Sequence, residues 1–385
     1  MRSSELIASG TIAISNPAPR RAHLDAIDVG RARGQSRPGD RMSTATPAHR
    51  PSAGASPVVA APLYPLKFAP LYQYRIWGGR RLAQLLDVTL PGDGPIGESW
   101  LLSDRGDHSS IVANGTLEGQ TLRQLLRRWP DEMLGTRHGY GNRFPLLLKF
   151  LDVQGALSVQ VHPSDYQIAH RPADESGKTE AWVVLDTGPA SRIYAGLHRN
   201  TTSGVLEKAL AEGRLVEHLE SFTPTARDAV FVPAGSVHSL RDVVVFEVQE
   251  NSDVTFRLYD WGQVDPVTHE PRPLQVGDAL ACVDFSQGAI LPVVPVVEET
   301  TPVLRERLFD CPQFTLWRLH SPSALMVGKA DTPRVLVCIA GAGSLRYEGV
   351  EYGFATGELL LLPAMVGACL CKPGDGMTLL EIALP

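Results

Sequence analysis

The chain has 385 residues, 43% hydrophobic and 20% charged, the balance of a globular protein with room for two or three domains. A net charge of −6 argues against general binding to nucleic acid or to anionic membrane, so an anionic ligand needs a local cluster of Arg or Lys. No apolar run reaches the ~18 residues of a membrane span, and five cysteines without a C-x-x-C pair read as free thiols in a reducing cytoplasm.

Residues 1–57 are rich in Ser, Ala, Pro, Gly and Arg and show no sustained apolar period, so they read as a disordered tail outside the fold. They carry eight Arg and no Lys against four acids, an acid content unlike that of a transit peptide, and Met42 offers an alternative translation start. From Pro62 the texture changes. The aromatic stretch 65–79 ends in Gly78-Gly79 and reads as a strand and turn. A short helix fits Arg80 to Leu86, and a strand fits 97–102. Residues 117–134 hold a helical period, Leu122, Leu125, Leu126 and Trp129, with basic residues opposite. The run Phe144 to Leu151 is nearly all apolar but contains Lys149.

The next stretch, Leu157-Ser-Val-Gln-Val-His-Pro163, alternates strictly. Leu157, Val159 and Val161 share one strand face, and Ser158, Gln160 and His162 the other, until Pro163 ends the pairing. Gln160 and His162 therefore point at one spot, and both side chains can ligate a divalent metal. Lys178 and Glu180 again stand at i and i+2 in a strand beginning near Gly177. Residues 201–219 read as a helical excursion. Asp228 to Ser239 is a strand, a Pro/Gly turn and His238. In the strand Val243 to Glu250, Glu247 and Gln249 share a face. Around 255–260, Thr255, Arg257 and Tyr259 share another.

Residues 263–300 are Pro-rich and read as an irregular crossover; 303–385 are short, evenly spaced strands punctuated by Gly. The phrase at 357–364 echoes that at 227–234, which suggests two copies of one double-sheet β-barrel. The second copy has no His after its Pro-Ala turn. A mainly β chain follows, with a tail at 1–57, a first barrel with helical insertions at 58–300, which is the one to hold a metal if either does, and a C-terminal barrel without metal ligands at 301–385.

Gln160, His162, Glu180 and His238 come from separate strands or turns, which is how a barrel builds a central site. Their N and O donors suit one divalent ion, Zn²⁺, Mn²⁺, Fe²⁺ or Co²⁺. By spacing alone, His162 fits a surface histidine, Glu180 a strand-edge charge and His238 a turn residue equally well.

Four strings in order, the one at 157–163, Gly177-Lys-Thr-Glu-Ala-Trp182, Val232-Pro-Ala-Gly-Ser-Val-His-Ser239 and the stretch from Glu247 to Trp261, resemble the type I mannose-6-phosphate isomerases of the cupin superfamily, short bacterial class. The resemblance covers roughly residues 62–385. It implies two cupin-type (jelly-roll) barrels and zinc ligation by Gln160, His162, Glu180 and His238. It further implies a catalytic Arg257, a pocket-lining Lys178, and Glu247 and Asp253 at the family's spacing before Arg257. Glu250 departs from the Gln frequent in bacterial relatives. The implied activity is interconversion of mannose 6-phosphate and fructose 6-phosphate through a cis-enediol, in a cytoplasmic monomer or small homo-oligomer. Glu247 and Asp253 are candidate bases. Arg257 and Lys178 are candidates for oxyanion or phosphate, and Ser158 for a phosphate contact. The competing readings are a non-catalytic sugar-phosphate-binding cupin, or a cupin isomerase acting on another sugar phosphate.

Overall fold

A computed structural model describes residues 63–136, 142–168, 175–374 and 376–384; the expected tail at 1–57 lies outside the described residues. The chain is mainly β. Nine strands between Leu71 and Tyr259 form one curled sheet. Its path runs through Leu71–Gly79, Ile96–Leu102, Leu146–Ala156, His238–Glu250, Val159–Val161 and Phe256–Tyr259. The long strand Glu180–Leu197 covers the other edge of His238–Glu250 and carries Leu219–Phe222 and Ala229–Val232.

The C-terminal part is a double sheet. Six strands follow the order Val296–Glu299, Leu304–Asp310, Thr315–His320, Thr378–Ala383, Arg334–Ala340 and Leu359–Leu362. Four more, Leu325–Val327, Cys369–Pro373, Ala342–Tyr347 and Val350–Ala355, close over them. Leu336, Leu360 and Leu379 of one sheet meet Val327, Leu345 and Cys371 of the other in a buried core. The echoed phrases form equivalent pieces, the four-residue strands Ala229–Val232 and Leu359–Leu362, each followed by Pro. A further core spans both parts and includes Leu148, Phe246, Leu316, Leu361 and Ile382. Leu66 exchanges main-chain hydrogen bonds with Leu361, which ties the start of the described chain to the C-terminal sheet.

Several elements are shorter than their patterns suggested, for local reasons. The helix at Leu122–Arg128 starts on a Thr121/Gln124 capping box and buries Leu122, Leu125 and Leu126. It stops at Trp129 because Pro130 bars the preceding residue from helical ψ, and a second helix, Pro130–Leu134, begins there. In the stretch 201–219 the helix spans only Ser203–Ala211. Gly213, with φ +69°, ends it, and a 3₁₀ turn and a strand follow. The crossover at 263–300 is less irregular than its prolines implied, since it holds the helix Val276–Cys282 and the strand Val296–Glu299.

Candidate active site and metal centre

Two rows of cross-strand neighbours build the site. Along the first, Arg257 opposes Gln160, and Gln160 opposes His238. Along the second, Trp100 opposes Lys149, Lys149 opposes Glu247, and Glu247 opposes Trp182. Directly opposed residues present their side chains to one face, so each row concentrates polar groups in one place. The strand Val159–Val161 has three residues, yet it continues the line of Leu146–Ala156 along His238–Glu250. The strand carrying His238 is also longer than the expected Val243–Glu250, and His238 is its first residue rather than part of the turn.

His162, Glu180 and His238 converge, with one donor atom from each lying within 4.8 Å of the others. All three are sealed from solvent, so His162 is not a surface histidine. His162 Nδ1 lies 2.8 Å from Val254 O, and His238 Nδ1 lies 2.9 Å from Ser236 O. A carbonyl only accepts, so each Nδ1 carries the proton and each Nε2 is the accepting nitrogen, with Lys178 Nζ 3.0 Å from that of His162 and Gln160 Nε2 3.1 Å from that of His238. Glu180 Oε1 is 3.2 Å from His238 Nε2, and Oε2 is 3.4 Å from His162 Nε2. Neither buried Glu180 oxygen accepts a hydrogen bond; Lys178 Nζ stands 3.0 Å from Oε2 but is poorly aligned. Gln160 donates from Nε2 to His238 Nε2 at 3.1 Å, and its Oε1 accepts from Ser158 Oγ at 3.1 Å.

Burial, and then the Lys178 ammonium, push His162 down to about 3, and burial lowers His238 as well. Burial works upward on Glu180, but Lys178 and the two imidazoles outweigh it and hold the carboxyl well below its usual range. Two neutral imidazoles and one carboxylate whose oxygens lack hydrogen bonds are the donor set of a divalent cation site, so these three residues fit the metal that the resemblance implies, while the Gln160 amide turns its nitrogen toward His238 and its oxygen toward Ser158.

A cleft of about 350 Å³ opens beside the cluster. Gln160, Lys178, Glu247, Asp253, Thr255 and Arg257 line it. Tyr259 does not; a register shift after Arg257 breaks the alternation, and its ring packs on Trp261. Ser158 is buried beneath Gln160 and is not a lining residue. Glu250 faces away from Arg257 and accepts from Thr179 N at 2.8 Å.

The cleft also holds residues that the motifs did not flag, including Arg75, Trp77, Glu98 and Arg272. Lys149 had shown one signal, a lone charge in an apolar strand. Its Nζ lies 2.9 Å from Glu247 Oε2 and 3.8 Å from Glu98 Oε2. Glu98 takes two N–H groups of Arg75, at 3.0 and 3.2 Å, and the Trp100 indole at 2.6 Å. Burial raises the Glu98 pKa, but Lys149 and Arg75 outweigh it and bring it to about 2. Burial pushes Glu247 up despite Lys149. Gly97 makes this corner possible, since a Cβ there would lie 2.5 Å from Arg75 Cβ and 2.7 Å from the Trp77 ring.

Residues 65–182 match the model of the phosphomannose isomerase type I catalytic domain. The chain is 33% identical over 313 residues to mannose-6-phosphate isomerase ManA of Bacillus subtilis, covering 79% of this chain and 94% of that one. It is 28% identical over 291 residues to a mannose-6-phosphate isomerase of Streptococcus mutans, covering 75% and 89%. Among solved structures, the mannose 6-phosphate isomerase of Bacillus subtilis superposes with a TM-score of 0.76 at 27% identity, over 83% of this chain and 99% of that one. Two jelly-roll barrels, a His–Glu–His cluster and this likeness along most of its length put the chain in the type I phosphomannose isomerase family.

Proposed function

We propose that the chain interconverts mannose 6-phosphate and fructose 6-phosphate through a cis-enediol. The observation that carries this reading is a divalent-cation donor set buried beside a cleft that holds the Lys149–Glu247 pair and a wall of arginines. His162, Glu180 and His238 hold the metal, with the Gln160 amide as fourth group. Zinc heads the candidates for this N/O set, ahead of Mn, Fe and Co. When bound, such an ion supplies Lewis acidity toward a sugar oxygen.

The protein's own groups then divide the work. Isomerisation breaks the C2–H and O2–H bonds of the aldose and forms C1–H and O1–H bonds in the ketose, the hydroxyl proton passing from O2 to O1, while charge grows on the carbonyl oxygen. Glu247 takes the C2 proton and returns it to C1. Burial raises its pKa, which suits it to take a proton. Lys149 and Lys178, the buried ammonium groups of the cleft, balance the charge that develops on O1 and O2. Arg257, on the cleft wall opposite Gln160, holds the phosphate. Ser158 acts through Gln160, whose amide it orients. The division between a metal-binding barrel and a metal-free one falls near residue 300. Five cysteines outside any disulfide support the cytoplasm as the compartment, and no helix among the described residues is long and apolar enough to cross a membrane.

The test is coupled production of fructose 6-phosphate from mannose 6-phosphate by metal-loaded protein, with glucose 6-phosphate as the control substrate. Binding of mannose 6-phosphate without turnover would leave a non-catalytic binding protein, and preference for the control would move the activity to another sugar phosphate.

A further inference from the structure

The strand that carries Gln160 is out of step with its neighbour by one residue. Ala156 opposes Arg241 and Gln160 opposes His238, so four steps along one strand span what three span along the other. The extra residue is a β-bulge between Ala156 and Gln160. Leu157 and Gln160 accordingly both line the cleft, although strict alternation puts residues three apart on opposite faces. A slip of one residue turns every later side chain to the other face. Without the bulge, Val159 would oppose His238, and Val159 and Val161 would stand where Gln160 and His162 stand.

Three side chains grip the backbone where the bulge begins. Leu157 O accepts from the Trp261 indole at 2.6 Å and from Ser239 Oγ at 2.6 Å, and Ala156 O accepts from Gln263 Nε2 at 2.8 Å. Two donors on one carbonyl fix the plane of the peptide that leads into Ser158. Ser239 is buried, and the Trp261 ring packs between Tyr194 and Tyr259, 5.4 Å from each.

Trp261 is itself held in an uncommon conformation. Gln263 N donates to Asp260 O at 2.9 Å, closing a tight turn whose central residues are both left-handed, Trp261 at φ +58° and Gly262 at φ +70°. Both signs fit a type I′ turn, which favours Asn or Gly at its first central position. A tryptophan there is strained, and such strain persists where the surrounding contacts over-determine it.

We infer that Trp261 is a positioning residue for the metal cluster: with Ser239 and Gln263 it pins the bulge that turns Gln160 and His162 toward Glu180 and His238. The inference rests on the metal-site part of the isomerase reading.

The test titrates the full, metal-free chain with Zn²⁺ and Co²⁺, reads the visible spectrum of the Co²⁺ form, and melts the metal-free protein. Trp261→Phe keeps an aromatic ring and loses the indole N–H, and Ser239→Ala loses the second donor. Each weakens metal affinity about 10–100-fold, the range for removing a group that orients a ligand. The Co²⁺ bands shift as well, because the ligands are no longer held in one arrangement. Ser239→Ala, the smaller change, gives the same readout if the tryptophan variant folds poorly. Metal affinity and a Co²⁺ spectrum indistinguishable from wild type in either folded variant overturn the inference, whatever the melting temperature, since a merely structural clamp moves stability alone. Failure of the wild-type chain to bind either ion would overturn the metal reading and the inference with it. Weakened affinity in the variants of a chain that binds metal but does not isomerise mannose 6-phosphate would overturn the function and leave the inference standing.

Discussion

Lys149 and Glu247 oppose each other on paired strands, with Nζ 2.9 Å from Oε2 and both side chains sealed from solvent. Removing one partner leaves the other charge buried, which costs roughly 3–5 kcal/mol, whereas replacing both by neutral groups is far milder. Lys149→Met therefore lowers stability by about 3 kcal/mol and kcat by about 10²–10⁴-fold. Lys149→Met with Glu247→Gln recovers most of the stability and none of the rate. Denaturant melts beside kinetics check this; recovery of rate in the double variant would take both residues out of the chemistry.

Metal content is the second expectation. The protein binds about one divalent ion, and chelation abolishes turnover. His162→Ala and His238→Ala lose the ion, while Cys369→Ala, in the core of the C-terminal barrel, keeps it. Ser158→Ala, which frees the Gln160 amide, weakens metal affinity about 10–100-fold without removing a ligand. Elemental analysis after dialysis reads all four variants; metal retained by both histidine variants would mean that the ligands are elsewhere.

Arg257→Ala distinguishes a phosphate arm from an oxyanion donor. As the phosphate arm, its loss raises KM about 10–100-fold and leaves metal content normal. A kcat reduced about 10²–10³-fold at constant KM would assign Arg257 to the developing charge instead.

The acid limb of stability reports on Glu98. Its folded pKa, about 2, lies below the unfolded value of about 4.5. As pH falls below 4.5 the unfolded chain takes the proton first, so the stabilisation from Glu98 is fully present above that pH and is lost as pH falls toward 2. Glu98→Gln has no such linkage. The stability gap between wild type and Glu98→Gln is widest above pH 4.5 and narrows by up to about 1.4 kcal/mol per pH unit below it. Urea melts between pH 3 and 6 measure the gap, and a gap independent of pH would mean that Glu98 is not held ionised by Lys149 and Arg75.

Local pattern was enough for the cluster strands because alternation is a property of the chain. Period two placed Ser158, Gln160 and His162 on one face, whereas Lys178 precedes the strand that Glu180 opens, so strand alternation does not account for its Nζ standing 3.0 Å from a Glu180 carboxylate oxygen. Alternation does not say which face is buried. The polar face of 157–163 suited a half-exposed strand, yet it lies in the interior because Phe256–Tyr259 and His238–Glu250 pair along both its edges.

The sequence by itself determined the donor types of the cluster, the β character of the chain and the contrast between a Pro-Ala turn followed by His238 and one followed by no histidine. Tertiary structure alone decided the rest of the cleft. Arg75 meets Glu98, Lys149 meets Glu247, and Arg272 meets Asp260 across strand pairings and loops. Cross-strand register, set by bulges such as the one after Arg241 and by the close approach at Gly97, chooses those partners. A one-dimensional period carries no information about register between distant segments, so a charge in an apolar strand such as Lys149 stays ambiguous until its neighbour is in place.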